Sequence, residues 1–160
     1  MAETEKPQRL YLKSYLQLIK NSVGSKMFRN FYVQTAEAGE FDALANGDNA
    51  CAFFVSAVLH LFKKLHDFHG TVASTTADLE KSGWRKVTEP KPGDVLVWEA
   101  RDFADGRHEH IGFYIGNKQA ISTSMEGGTV IKHDQNFGDA KRPFKQIYRM
   151  SRWENDSPKG

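Results

Sequence analysis

The spacing of apolar residues changes near the middle of the chain, from helical in the first half to strand-like in the second. Apolar side chains recur at mixed helical spacing over residues 9–20, which predicts a first helix. Residues 49–65 are apolar around most of the helical circumference and predict a second, more deeply buried helix. A third, shorter helix is predicted at 76–81, with Thr75 or Thr76 capping its start.

The second half of the chain is a series of short β-rich segments separated by turn residues. The predicted strands are 84–87, 95–98, 110–115, 119–123, 129–131 and 144–148. One earlier strand is predicted at 27–33, and 34–47 is interpreted as loop. Helices followed by a run of strands predict an α+β fold with an antiparallel sheet. We expect one catalytic-type domain over 9–153, with flexible ends at 1–8 and 154–160.

The amino-acid composition of the chain limits the classes of molecule that it is expected to bind. Hydrophobic residues make up 39% of the chain and charged residues 26%, ordinary values for a globular protein. The net charge is only +2 and the basic residues are scattered, so no nucleic-acid partner is expected. No segment resembles a secretory signal or a membrane span, and a single cysteine rules out an internal disulfide. We expect a monomer that is cytoplasmic, or exported by a route not visible in the sequence.

The single cysteine, Cys51, lies at the start of the predicted buried helix. Asp48 and Asn49 are good capping residues, and either cap would place Cys51 in the first helical turn. Unpaired N–H groups in that turn favour a thiolate and could also hold the oxyanion of a tetrahedral intermediate. The alternative is a packing residue, the commoner role for a lone cysteine in an apolar helix.

A candidate partner for Cys51 lies on the predicted strand at 110–115. Side chains alternate along a strand, so Ile111 and Phe113 share the apolar face, whereas His110 and Gly112 lie on the other. The missing side chain of Gly112 leaves room for another element. We therefore expect the cysteine helix to dock there and bring the sulfur next to the imidazole.

These residues carry a resemblance to a known family. Cys51 at a helix start, Pro92-Gly93-Asp94 opening a strand, and the run from His110 to Asn117 resemble the papain-like cysteine peptidases and amidases of the NlpC and CHAP type. The resemblance covers about residues 44–133. It implies an α+β papain-like fold, with the nucleophile helix packed on an antiparallel sheet. It also implies thiol-dependent hydrolysis of amide bonds in peptides, above all peptidoglycan fragments, with no cofactor.

The resemblance also implies the remaining site residues. The third catalytic residue comes from the next strand, where counting reaches Ser122. Alternatives on the following strand and loop are His133, Asp134 and Asn136. Three aromatic residues are expected to line the cleft, Tyr32, Trp98 and Tyr114, with a core position as the alternative for Trp98 and a position that only covers the sheet as the alternative for Tyr114. NlpC-type enzymes have Asp and Ser beside the nucleophile where this chain has alanines, so their stem-peptide specificity is not implied.

The sequence also allows two other functions. The same fold with a weakened triad could serve as a non-catalytic binding module. A zinc hydrolase is the other alternative, since His108 and His110 share a strand face and His133 or Cys51 could complete three ligands. A second histidine pair, His66 and His69, is interpreted as part of a solvated loop.

Overall fold

A computed structural model of the chain describes residues 4–138 and 141–153. The predicted tail at 154–160 and the first three residues of the predicted flexible N-terminus lie outside the described residues. The helices are α1 (Tyr11–Asn21), α2 (Cys51–Leu61) and α3 (Val72–Lys81). Within the described ranges, no helix is long and apolar enough to cross a membrane.

The strands form a hairpin and a larger sheet, both antiparallel. The hairpin pairs β1 (Tyr32–Thr35) with β2 (Gly39–Asp42). The larger sheet contains β3 (Trp84–Val87), β4 (Val95–Phe103), β5 (Gly106–Gly116), β6 (Gln119–Thr123), β7 (Val130–Asp134) and β8 (Phe144–Met150). Its strands lie in the order β3-β8-β4-β5-β6-β7. The predicted α+β class with an antiparallel sheet is confirmed.

The two faces of the larger sheet are covered differently. Ile111 and Phe113 of β5 are fully buried in the main core, together with side chains of α1, α2 and α3. The opposite face carries a smaller apolar cluster that includes Trp98 and Tyr114. The predicted alternation along β5 is therefore confirmed, and α2 packs on the face that Ile111 and Phe113 occupy.

The prediction for residues 27–47 is wrong, because the segment forms the β1–β2 hairpin rather than one strand and a loop. The Asp42 carboxylate closes this hairpin by accepting hydrogen bonds from the backbone N–H groups of Phe31, Leu44 and Asn46. These donors and the Asn30 amide outweigh the cost of burial and lower the pKa of Asp42 to about 2. The two strands are only four residues long and mostly exposed, so they carry no apolar alternation that would reveal the hairpin in the sequence.

Two helix boundaries, the end of α2 and the start of α3, differ from the prediction by four residues. Helix α2 ends at Leu61 because Lys63 adopts a left-handed conformation, with φ of 57°. Helix α3 starts at Val72 because the Thr71 hydroxyl, not that of Thr75 or Thr76, caps it by accepting a hydrogen bond from Ser74 N–H.

The start of α2 is held by backbone packing rather than by a capping side chain. Its N-cap is Ala50, which makes no side-chain hydrogen bond, so the predicted cap at Asp48 or Asn49 is wrong. Asp48 instead accepts a hydrogen bond of 3.0 Å from the backbone N–H of Gly127 in the β6–β7 turn. A Cβ added at Gly47 would lie 2.3 Å from the Gly127 carbonyl oxygen. The turn before Cys51 and the β6–β7 turn therefore touch along their backbones.

Gly47→Ala should destabilise the protein more than Gly83→Ala, which serves as its matched control. Both glycines have positive φ, 101° and 90°, so each alanine carries a left-handed backbone cost of about 1–2 kcal/mol. Nothing lies within 4 Å of a Cβ at Gly83, whereas the Gly47 Cβ overlaps Gly127 and adds about 1–3 kcal/mol. Urea unfolding measures both values, and equal losses would contradict this packing.

Candidate active site

A cavity of about 350 Å³ lies where the starts of α2 and α3 meet β5. Its lining includes Cys51, the first residue of α2, and His110 of β5. Gly70 and Thr71, just before α3, form part of another wall. Cys51 is half-buried and His110 is 1% exposed. The fold thus brings the two predicted reactive residues to one cavity.

The Cys51 thiol is subject to opposing influences. Burial is the largest and raises its pKa above the ordinary value. The backbone N–H of Ile111 lowers the pKa, as do the N–H groups of Ala52 and Cys51 itself and the charge of Arg142. Because burial outweighs these donors, the resting thiol is neutral, although the helix start acts in the direction expected from the sequence.

The His110 imidazole is also neutral at rest. Burial, followed by the charges of Arg142 and His133, lowers its pKa to about 3. The ring lies 5.4 Å from the Trp98 ring and 5.7 Å from the Phe137 ring, centroid to centroid. Its Nδ1 is buried and has no hydrogen-bond partner among the described residues. The Cys51 sulfur is therefore not hydrogen-bonded to this nitrogen.

The route by which Cys51 approaches His110 differs from the sequence-based expectation. Helix α2 does not dock over Gly112; a Cβ there would meet the Ile121 carbonyl oxygen at 2.7 Å, Ser122 Cβ at 2.8 Å and the Trp98 ring at 3.1 Å. Gly112 therefore makes room for Trp98 and β6. Cys51 reaches β5 from the other face of the sheet, where it packs against the main core.

A chain of hydrogen bonds runs behind His110 and away from its Nδ1. Ser122 Oγ lies 2.9 Å from His110 Nε2 and 2.7 Å from His133 Nε2. His133 Nδ1 lies 2.7 Å from the backbone oxygen of Asp134. The Asp134 carboxylate accepts hydrogen bonds from the N–H groups of Asn136 and Gly138 instead. Of the candidate third residues, the structure places Ser122 against His110, and His133 behind Ser122.

The three aromatic residues expected along the cleft are not among the residues that line this cavity. Tyr32 is 65% exposed on the β1–β2 hairpin. Trp98 is fully buried behind His110, and its indole N–H donates to the Gln135 carbonyl at 2.7 Å. The Tyr114 hydroxyl accepts a hydrogen bond from Lys118 N–H on the same side of the sheet. Trp98 therefore supports the imidazole instead of forming the cleft wall.

Comparison with known proteins identifies the family. Residues 62–157 match the family Amidase_5, described as bacteriophage peptidoglycan hydrolase. The chain belongs to this family. The matched segment contains His110, Ser122 and His133 and begins after Cys51. None of the curated proteins matches the chain.

Membership confirms the predicted hydrolase class and substrate class. Peptidoglycan is the substrate of the family, so cell-wall peptides are the material that this hydrolase acts on. The cavity that contains Cys51 and His110 is therefore the candidate active site of a peptidoglycan hydrolase.

Arg142 is a residue near the candidate site that sequence reasoning missed. The pairing of β4 with β5 shifts register between Trp98 and Arg101, beside His110. Arg142 is only 3% exposed, and its guanidinium donates to the carbonyl oxygens of Glu99 at 2.8 Å and His108 at 2.7 Å. It thus satisfies carbonyls next to the irregularity and brings a positive charge near both Cys51 and His110.

The histidines considered as metal ligands have other partners. His108 Nε2 lies 3.0 Å from the Asp105 carboxylate. In the part of the hydrolase that the structure describes, no three His, Cys, Asp or Glu side chains are arranged to hold a metal ion.

His66 and His69 lie in the predicted loop, where the His66 side chain is 70% exposed and the His69 side chain 19%. Both bond to the Asp78 carboxylate, at 2.9 and 2.6 Å. They fix the loop that leads to Gly70 and Thr71 in the cavity wall.

The hydrolase should lose stability in mild acid because His110 is buried in its neutral form. Its pKa is about 3 in the folded state against 6.5 when unfolded, so the unfolded state binds more protons between these values. Stability contributed by neutral His110 is therefore present above pH 6.5 and falls by about 1.4 kcal/mol per pH unit below it. His110→Gln cannot gain this proton. From about pH 6.5 to about pH 5, urea unfolding should show roughly 2 kcal/mol more loss in the wild type than in the variant. Parallel losses would contradict burial of a neutral imidazole.

Proposed function

We propose that this peptidoglycan hydrolase is a papain-like cysteine amidase or peptidase of the NlpC or CHAP type. Cys51 is the nucleophile, His110 is the general base, and Ser122 orients His110. One observation carries the proposal: Cys51 at the start of a helix and His110 on a strand line the same cavity. The packing of α2 against β5 supports it further, because it holds the helix that carries the nucleophile against the strand that carries the base.

The neutral resting state defines the first chemical step. Because Nε2 of His110 is bonded to Ser122, Nδ1 is the atom available to accept a proton. Nδ1 takes the thiol proton as the sulfur attacks the scissile carbonyl carbon, which produces a tetrahedral intermediate. N–H groups at the start of α2, that of Cys51 among them, stabilise the oxyanion.

Collapse of the intermediate completes the cleavage. The carbon–nitrogen bond breaks, and His110 returns its proton to the leaving amine, which leaves a thioester on Cys51. His110 then takes a proton from water as the water oxygen attacks the thioester carbon. The carbon–sulfur bond breaks, the carboxylic acid leaves, and His110 returns the proton to the sulfur to restore the thiol. This reaction needs only water besides the peptide substrate.

A non-catalytic peptidoglycan-binding module is the second candidate. One observation favours it: the thiol and the imidazole are both neutral and make no direct hydrogen bond. Catalytic hydrogen bonds often tighten only when substrate is bound, so this geometry is compatible with either function.

Digestion of purified peptidoglycan separates the two functions. The wild-type protein should release soluble peptides and new amino groups, and mass spectrometry of the products identifies the amide bond cleaved. Alkylation of Cys51 with iodoacetamide before the assay should abolish release, whereas a metal chelator should leave it unchanged. Sedimentation with the wall without release of any product would support the binding module and overturn the proposed function.

A further inference from the structure

In the hydrogen-bond chain behind His110, the chemistry of the atoms determines which one donates and which one accepts in each bond. Its far end is the backbone oxygen of Asp134, which can only accept, so His133 Nδ1 must donate the 2.7 Å bond to it. Burial lowers the pKa of His133, and a neutral imidazole carries one N–H only. Nε2 of His133 is therefore an acceptor.

The remaining two bonds follow from this acceptor. Ser122 must donate its hydroxyl hydrogen to His133 Nε2 across 2.7 Å. Its oxygen then accepts from His110 Nε2–H across 2.9 Å. This assignment puts the proton of neutral His110 on Nε2 and the lone pair on Nδ1, the buried atom without a hydrogen-bond partner.

We propose that His133 is a positioning residue that acts through the Ser122 hydroxyl to hold His110 in the Nε2–H tautomer. The inference rests on the proposed function, since the Nδ1 lone pair matters because it is the base. A serine hydroxyl can donate or accept, so Ser122 alone cannot choose the tautomer of its neighbour. His133 supplies the acceptor that removes this ambiguity.

The packing around His133 fixes its ring for this purpose. His133 lies opposite Ala120 in the β6–β7 register, which makes it the diagonal neighbour of Ser122. Its ring stacks on Phe137, with centroids 4.1 Å apart and planes at 17°. The ring of Trp98 lies 5.6 Å away on another side. The position of Nε2 is therefore set by the stack on Phe137 and by the tilted Trp98 ring.

Two substitutions at His133 test separately its role as a hydrogen-bond acceptor and its role as a stacked ring. His133→Phe keeps an aromatic ring to stack on Phe137 but removes the acceptor, so the Ser122 hydrogen is free to turn toward His110 Nε2. His133→Gln gives up the stack but offers an amide oxygen as acceptor. Nitrogen NMR of the imidazoles in the protein without substrate reports which nitrogen carries the proton.

At neutral pH the wild type should show His110 protonated on Nε2 alone. His133→Phe should populate the Nδ1–H tautomer and lower kcat by about tenfold to a hundredfold with little change in KM. His133→Gln should restore the Nε2–H tautomer and most of kcat. A wild-type His110 protonated on Nδ1 would overturn the inference even if neither variant folds. Unchanged tautomer and kcat in a folded His133→Phe protein would also overturn it.

The outcomes for this inference and for the proposed function are distinguishable. Full activity after loss of the Cys51 thiol would contradict its assignment as the nucleophile, whatever the tautomer of His110. Activity that depends on Cys51 but does not change when His133 is replaced would contradict only the positioning role of His133.

Discussion

Replacing Cys51 with alanine should lower the rate of peptidoglycan hydrolysis by about 10³-fold or more. The thiol supplies the attacking atom, and without it only substrate binding and oxyanion stabilisation are left to act on the amide. The alanine fits the site, because Cys51 is half-buried among apolar neighbours of the main core. Release of amino groups from purified peptidoglycan measures the rate, and urea unfolding checks that the variant is folded.

Two further variants make the Cys51 result specific. Cys51→Ser replaces the thiol with a hydroxyl in the same position of the cavity. It should be nearly as inactive as the alanine variant, because the serine hydroxyl is far less acidic than a thiol and the same base cannot activate it. Leu61→Ala changes a residue that is 66% exposed at the other end of α2, and it should retain full activity. Hydrolysis by the alanine variant at more than about a tenth of the wild-type rate would contradict the nucleophile assignment.

The sheet could be predicted from local patterns because its strands have clear alternation and turn residues. The β6 boundaries predicted from the sequence match the structure, and β5 differs only in extending to Gly106 and Gly116. The alternation along β5 also predicted that His110 lies on the opposite face from Ile111. Counting along the next strand led to Ser122, which is the residue bonded to His110 Nε2.

The parts that could not be predicted depend on contacts between segments distant in sequence. Asp48 looks like a helix cap from its neighbours, yet its acceptor is used by Gly127, 79 residues later. Gly112 signals a close approach but not the identity of the approaching group, which is Trp98 with β6 rather than α2. Arg142 has no motif around it, and its importance comes from an irregular β4–β5 pairing next to His110.

The charge state of the site is a further property that sequence patterns could not give. A helix start beside an imidazole predicts a thiolate, but the prediction takes no account of burial. In the structure, burial is the largest influence on both Cys51 and His110 and acts against the charged form of each. Arg142 lowers the pKa of both groups, so it favours a thiolate while keeping the imidazole neutral. The pair is therefore suited to proton transfer during attack rather than to a preformed ion pair.

His110→Gln should lower kcat for peptidoglycan hydrolysis by about 10²- to 10⁴-fold, the range that a general base contributes. The glutamine amide can still donate to Ser122 as His110 Nε2 does at 2.9 Å, but it has no basic atom in place of Nδ1. The thiol then has no acceptor for its proton, and its raised pKa leaves little thiolate at neutral pH. Raising the pH should partly restore the variant, because hydroxide replaces the missing base, whereas the wild type should gain far less.

His108→Gln is the control that tests this explanation against a metal-dependent one. His108 lines the same cavity, precedes His110 by two residues on β5 and bonds to Asp105. If His110 acts as a proton acceptor for Cys51, the His108 variant should stay within a few-fold of wild type. If the two histidines instead held a catalytic metal ion, both variants should lose activity to a similar extent, and alkaline pH should rescue neither. Equal losses in the two variants would therefore overturn the role of His110 as the base, and a large loss confined to His110 with recovery at alkaline pH would support it.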